Sequence, residues 1–329
     1  MKRLLYLGLA LTGILSLTAF LFSLYKSWQL NTFDPEPEAA LVYHFSLYIP
    51  DNRTSFFEGI IRGAELAALE LNSAVSIHSI DPSKNELENA SFTGIDGVIV
   101  CPYLNDALAR RQLEKIRTRQ IPAVLINHNI PSDRPWTFIG INNFEMGRRI
   151  GNILSDSGEK LGLVVVYSDK APGIYAEREL VEMGISASLG DKLTDPILSF
   201  RTNLNPLDAE ALLAIIFRSP PSRTGDSIDS IPERAFINTI IFTDPMDTTA
   251  AAQTLVDLNL VGQVNIIGFG DDPGVIENLR KGIISASVVI NSERIGYEAV
   301  HSLAALRTTG YSSASIDIGV NIITSGDCN

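Results

Sequence analysis

Cysteine is scarce in this chain of 329 residues: there are two, Cys101 and Cys328. They form no C-x-x-C pair and no Cys/His spacing, which argues against a zinc site and leaves either one disulfide in an oxidising compartment or, preferably, two separate thiols. Histidine is thin as well, at four residues. No G-x-G-x-x-G, phosphate-binding loop or G-x-S-x-G element occurs, and Gly268-Phe269-Gly270 does not open a dinucleotide pattern. An enzyme therefore finds little support, and no cofactor or metal is expected. Positive charge is also short. With 26 Lys and Arg against 38 Asp and Glu, the net charge of −12 repels a phosphate backbone, and no dense basic block offers a local exception. Nucleic acid is not an expected partner.

What is abundant is apolar sequence, 45% of the residues, enough for one large domain or two ordinary ones. The longest run sets the compartment. Lys2 and Arg3 precede an unbroken stretch from Leu4 to Leu24, which at about 1.5 Å per helical residue matches a hydrocarbon core of roughly 30 Å. Tyr25, Lys26 and Trp28 follow as interface anchors. The stretch is longer than the apolar region of a cleavable signal, no small-x-small cleavage site follows, and no cysteine stands at its end for lipidation. Residues 1–30 thus read as a signal anchor or transmembrane segment, with a cleaved signal as the other possibility. The basic start keeps the N-terminus in the cytoplasm and exports the rest, so the protein is expected in the cell envelope, tethered to the cytoplasmic membrane. Residues 31–41, with Asp34-Pro35-Glu36-Pro37-Glu38, read as a stiff acidic spacer.

From Leu41 onward, short apolar runs alternate with helical periodicity, the pattern of parallel sheets covered by helices on both faces. Strands are expected at Leu41–Tyr48, Val75–Ile80, Gly97–Val100, Ala123–Ile126, Phe138–Ile141, Leu161–Tyr167, Thr239–Phe242, Asn265–Gly268, Ala286–Val289 and Ile316–Ile323. Helices are expected at Ser55–Asn72, Glu145–Ser155, Ala176–Met183, Asp208–Phe217, Thr248–Leu258, Val275–Lys281 and Glu293–Arg307. Arg218–Pro232, rich in Ser, Pro, Gly and Asp, reads as a loop or insertion. So many strands imply two lobes. Their carboxyl ends, which run into polar or small residues, are where a site should be sought.

Several segments carry a resemblance in their order: Asp51-Asn52-Arg53-Thr54-Ser55-Phe56-Phe57, Gly59-x-x-x-Gly63-Ala64, Gly97-Val98-Ile99-Val100-Cys101-Pro102 and Ile121-Pro122-Ala123-Val124-Leu125-Ile126-Asn127. Ile139-Gly140-Ile141-Asn142-Asn143, Ile240-Ile241-Phe242-Thr243-Asp244, Ile266-Ile267-Gly268-Phe269-Gly270 and Gly282-Ile283-Ile284-Ser285-Ala286-Ser287 continue it. Over roughly Val42 to Ile323 the chain resembles the type I periplasmic binding proteins, the ribose- and galactose-type sugar receptors in particular. That resemblance implies an α/β fold of two doubly wound parallel-sheet lobes joined by three crossovers, here preceded by one N-terminal transmembrane helix. Lobe one is expected at 42–142 plus 291–313 and lobe two at 143–290 plus 314–326. The implied function is extracytoplasmic capture of a small polar, sugar-like solute. The solute would pass to an ABC permease, or the closed form would signal to a membrane histidine kinase or chemoreceptor. A vestigial cleft in an adaptor or partner-docking protein of the same fold is the alternative.

The resemblance also nominates residues. Phe56 and Phe57 match an aromatic pair that packs on a sugar ring, unless they only seal a helix start. Asn52 and Arg53 precede them. Asn127 and His128 stand where many relatives carry an Asp-Arg pair, so the strong bidentate hydroxyl clamp is absent or weakened, and His128 fits an exposed loop equally well. Arg178 lies near a family arginine or simply pairs within its helix. Asp244 is the foremost candidate in lobe two. Asp271 serves if the register slips by one from Gly270, and Asn291 stands near a last contact whose closest match is Ile290. Tyr103, Asn105 and Asp106 complete the expected rim.

Overall fold

The computed structural model describes the backbone of residues 2–31, 42–50, 54–80, 86–102, 106–156, 158–169, 171–203, 207–218 and 236–328. Side chains are described for the same residues apart from 2–12, 28–31, 86, 91, 172 and 218. The chain divides into two compact units, Met1–Val42 and Tyr43–Asn329.

The first unit contains one helix, α1 (Lys2–Asn31). Phe20, Leu21 and Phe22, three successive positions about 100° apart around the axis, are all exposed, as are Ile14, Leu17 and Leu24. The helix is therefore apolar on every side along this stretch, unlike one lying on a protein core. The run from Leu4 begins among side chains outside the described set. Among the described residues, no helix is long and apolar enough to cross a membrane. The acidic spacer, apart from Asn31, and most of the Arg218–Pro232 insertion also lie outside the described residues.

In the second unit the strands are β1 (His44–Pro50), β2 (Ala74–Ile80), β3 (Gly97–Val100), β4 (Ala123–Ile126), β5 (Thr137–Gly140) and β6 (Leu163–Ser168). After them come β7 (Leu198–Thr202), β8 (Thr239–Phe242), β9 (Asn265–Phe269), β10 (Ala286–Ile290), β11 (Ser315–Asp317) and β12 (Val320–Thr324). The helices are α2 (Ser55–Glu70), α3 (Glu86–Asn89), α4 (Asp106–Thr118), α5 (Asn143–Ser155), α6 (Pro172–Ala176), α7 (Arg178–Leu189), α8 (Asp208–Arg218), α9 (Pro245–Asp257), α10 (Pro273–Arg280) and α11 (Ser292–Thr309).

Two six-stranded sheets result, in the orders β11-β5-β4-β3-β1-β2 and β12-β10-β9-β8-β6-β7. Among the described strands every pairing is parallel except β10 with β12. Each sheet starts one strand in from an edge, steps outward to that edge, then returns to build the other side. The order reverses beside β1 in one lobe and beside β6 in the other, and ligands gather at such switch points. β3, β4 and β8 are buried at every position, which is why they appear in sequence as unbroken apolar runs rather than as alternation. One buried cluster includes Phe45, Ile99 and Ile126 of lobe one together with Val165, Ile267 and Val288 of lobe two.

The edges are where sequence and structure part. β7 was not expected: Leu198, Phe200 and Thr202 face inward while Ser199 and Arg201 are exposed, and a five-residue edge strand leaves too weak a signal. α4 also went unforeseen, because only Ala109, Gln112, Leu113 and Ile116 are buried in an otherwise charged segment. The strand expected at Ile316–Ile323 is two strands, separated by Gly319 at φ 70°. β11 belongs to the first sheet, so the last crossing falls at Ile318-Gly319, beyond the 313/314 boundary drawn from sequence. Asp317 fixes this crossing, since its Oδ1 accepts from the backbone N–H of Gly319 at 2.9 Å and of Asn142 at 3.1 Å, tying the third crossover to the first.

Both cysteines are free and buried, in different clusters. Burial pushes the Cys101 thiol up to about 12, against a small opposing effect of the Asn127 amide, so it is a packing residue and not a nucleophile.

Candidate functional site

A cavity of about 390 Å³ lies between the lobes, within the range of small-molecule sites. Its walls come from the carboxyl ends of β1, β4, β8, β9 and β10, as the strand orders require. Helix caps hold the main polar groups in place. Asp244 Oδ1 accepts from the N–H groups of Met246 and Asp247, at 3.0 and 3.1 Å, and starts α9. Asn291 Oδ1 accepts from Arg294 at 2.9 Å and starts α11. These bonds satisfy helix-end donors and leave the Asn291 amide N–H groups for other acceptors.

Of the nominated residues, Phe56, Phe57, Asn127, Asp244, Asp271 and Asn291 all line this cavity. Phe56 and Phe57 meet edge to face, with centroids 5.3 Å apart. Phe57 belongs to the core at 5% exposure, whereas Phe56 is partly buried and packs on that core. Phe57 thus seals the helix start, and the Phe56 ring lies at the cavity wall. Asn52, Arg53, Tyr103 and Asn105 lie outside the described residues.

Three nominations, His128, Asp106 and Arg178, are displaced. Asn127 adopts a left-handed φ of 63°, which turns the chain sharply, and His128 does not line the cavity. Its ring is buried and its Nε2 lies 2.9 Å from Asp106 Oδ1, in the first turn of α4, so neither residue of this pair reaches the rim as expected. Arg178 is also absent from the lining. The helix expected over Ala176–Met183 breaks at Glu177, whose carboxylate accepts from the Asn143 amide at 2.8 Å. Arg178 instead covers the Tyr175 ring at 5.2 Å from its centroid and has Glu179 4.0 Å away. The ion-pair reading of this residue fits its surroundings better than a cleft contact.

Residues not nominated complete the walls, among them Ser55, Arg62, Ile174, Thr243, Phe269, Asp272 and Asn321. Asp271 and Asp272, beside Gly270, both line the cavity, Asp271 exposed and Asp272 partly buried. Asp272 Oδ1 accepts a 2.8 Å bond from the Ser55 hydroxyl, a contact from lobe two to lobe one. At a second contact between lobes, a side chain at Gly173 would overlap the Asn127 carbonyl. The lobes thus touch beside the cavity. Ser55→Ala should weaken the closed arrangement by about 1 kcal/mol, roughly a fivefold shift toward open forms. Small-angle scattering of the unliganded protein should report a larger radius of gyration, and an unchanged radius would deny the bond a role in closure.

The sequence matches no protein-family model and no curated protein. Solved structures do match. A glucose-galactose binding protein from Geobacillus stearothermophilus aligns with a TM-score of 0.71 at 21% identity, covering 87% of this chain and 98% of its own. The chain has the type I periplasmic binding protein fold. A sugar-binding protein of a sugar ABC transporter from Bacillus halodurans aligns at 0.72 and 17% identity, over 87% and 98%. A Caulobacter myo-inositol binding protein, solved with myo-inositol, aligns at 0.71 and 18%, over 87% and 94%.

Proposed function

We propose that this protein is an extracytoplasmic solute-binding protein, not an enzyme, which closes its lobes on a small polar molecule of the sugar or cyclitol type. The observation that carries this reading is the cavity between the lobes, built from the carboxyl ends of both sheets and lined by one available aromatic face with amides and carboxylates. Phe56 would cover the apolar face of a ring, while Asn127, Asp244, Asp271 and Asn291 would meet its polar groups. The similarity to proteins whose titles name glucose, galactose and myo-inositol supports the same class. The apolar surface of α1 supports a tether that holds the binding unit at the outer face of the cytoplasmic membrane. Delivery to an ABC permease follows from the fold's company, and signalling to a membrane histidine kinase or chemoreceptor is the second output that a tethered receptor serves.

The test is a thermal-shift screen of the detergent-solubilised full chain against monosaccharides, cyclitols, nucleosides and small amines. At about 100 times its dissociation constant, a ligand of the native state alone adds ~2.7 kcal/mol, and the unfolding midpoint should rise by several degrees. Asp244→Ala should remove the response and also cost about 1 kcal/mol of stability through the lost helix cap. A flat response from a folded sample would favour the vestigial-cleft adaptor.

A further inference from the structure

We infer that the solute is an organic cation, a protonated amine carried on a polyol ring as in amino sugars and aminocyclitols. The inference rests on the solute-receptor reading above and names its ligand class. Among the described lining residues there are four carboxylates, Asp244, Asp271, Asp272 and Glu293, and one cationic side chain, Arg62. Arg62 has Glu293 3.7 Å away, and both side chains are more than half exposed, 63% and 52%, so this pair sits at the mouth. Asp271 and Asp272 have no described cation against them. The second, independent observation is at Asp272: its Oδ1 takes the Ser55 hydroxyl, but its Oδ2 is buried without a hydrogen-bond partner among the described residues. A buried carboxylate oxygen with no donor is costly in an empty site and selects a ligand that supplies one.

Two donors expected at the rim face elsewhere. His128 is held by Asp106, and Arg178 lies over Tyr175. Among its described residues the lining is thus rich in acceptors and poor in charged donors. A hydroxyl offers one proton to such a site, whereas an ammonium offers three together with a full charge. The partly buried face of Phe56 suits either C–H groups or the ammonium itself. A metal ion fits less well, because no group of three or more acidic, His or Cys side chains among the described residues is placed to hold one.

The experiment is calorimetric titration of the full chain with matched pairs: glucosamine against glucose and against N-acetylglucosamine, galactosamine against galactose, and scyllo-inosamine against scyllo-inositol. In at least one pair the amine should bind about tenfold tighter or better than its neutral partners, a discrimination of the size one charged hydrogen bond gives. Asp272→Asn should erase that preference, lowering the amine's affinity by at least about tenfold more than its neutral partner's, with the fold intact by circular dichroism. Equal binding within every pair, tighter neutral binding, or a preference that survives Asp272→Asn would overturn the cation while the solute receptor stands. Binding of no compound in these pairs or in the wider thermal-shift screen would overturn both.

Discussion

Gly63→Ala should destabilise the binding unit by about 3 kcal/mol despite adding a better helix former. A Cβ at Gly63 would overlap the Glu293 carbonyl oxygen and stand 2.7 Å from its carbon and 3.0 Å from the Tyr297 nitrogen. All three neighbours are backbone, so no rotamer change relieves them, and α2 must move off α11. The contact is reciprocal, because a Cβ at Gly296 would overlap the Ile60 carbonyl. Replacing glycine by alanine in a free helix gains about 1 kcal/mol, so the clash has to exceed that gain before any loss is seen. Thermal unfolding should show a midpoint lowered by roughly 6–12 °C for a unit of this size, against little change for Glu65→Ala on the exposed face of the same helix. Function should suffer too. α11 is capped by Asn291, and Ser292 packs where Gly59 leaves room, so a displaced α11 carries three lining residues, Asn291, Ser292 and Glu293, with it. A midpoint within a degree of the parent protein would mean that the helices are less tightly apposed than described.

The glycine spacing Gly59-x-x-x-Gly63 is visible in sequence, but its partner is not, because Gly296 lies more than two hundred residues away. The same limit governs the rest of the molecule. Gly97–Val100, Ala123–Ile126 and Thr239–Phe242 could be placed to the residue because strands buried on both faces leave an uninterrupted apolar run. Strand endings then located the cavity, since parallel strands deliver their next residues to one side, and Asn127, Asp244 and Asp271 all line it. What failed was direction. Whether His128 follows Asn127 into the cavity depends on one backbone dihedral, φ 63° at Asn127, which residue types do not dictate. Arg178 depends on a helix break at Glu177, held by an amide from α5. Asp272 was adjacent to a chosen residue, yet its bond to Ser55 joins positions 217 apart in the chain and exists only once the lobes meet.

Phe57→Ala and Phe56→Ala should separate stability from binding at the aromatic pair. Phe57 is 5% exposed within the principal core, and removing its ring leaves a cavity that costs about 3–5 kcal/mol. Loss of ligand response in that variant would say little about recognition, since the start of α2, and Ser55 with it, would be disturbed. Phe56 is only partly buried, and its truncation should cost about 1 kcal/mol of unliganded stability, mostly from the edge-to-face contact. If its exposed face is the platform for a ring, the same truncation should weaken binding by about tenfold or more. Phe57→Leu, which keeps most of the buried volume, should retain both fold and affinity. Denaturant unfolding paired with titration of whichever solute the screen identifies measures both quantities on the same samples. The reverse ordering, with affinity lost in Phe57→Leu and kept in Phe56→Ala, would place the inner ring against the solute and leave Phe56 as the cover of the α2 start.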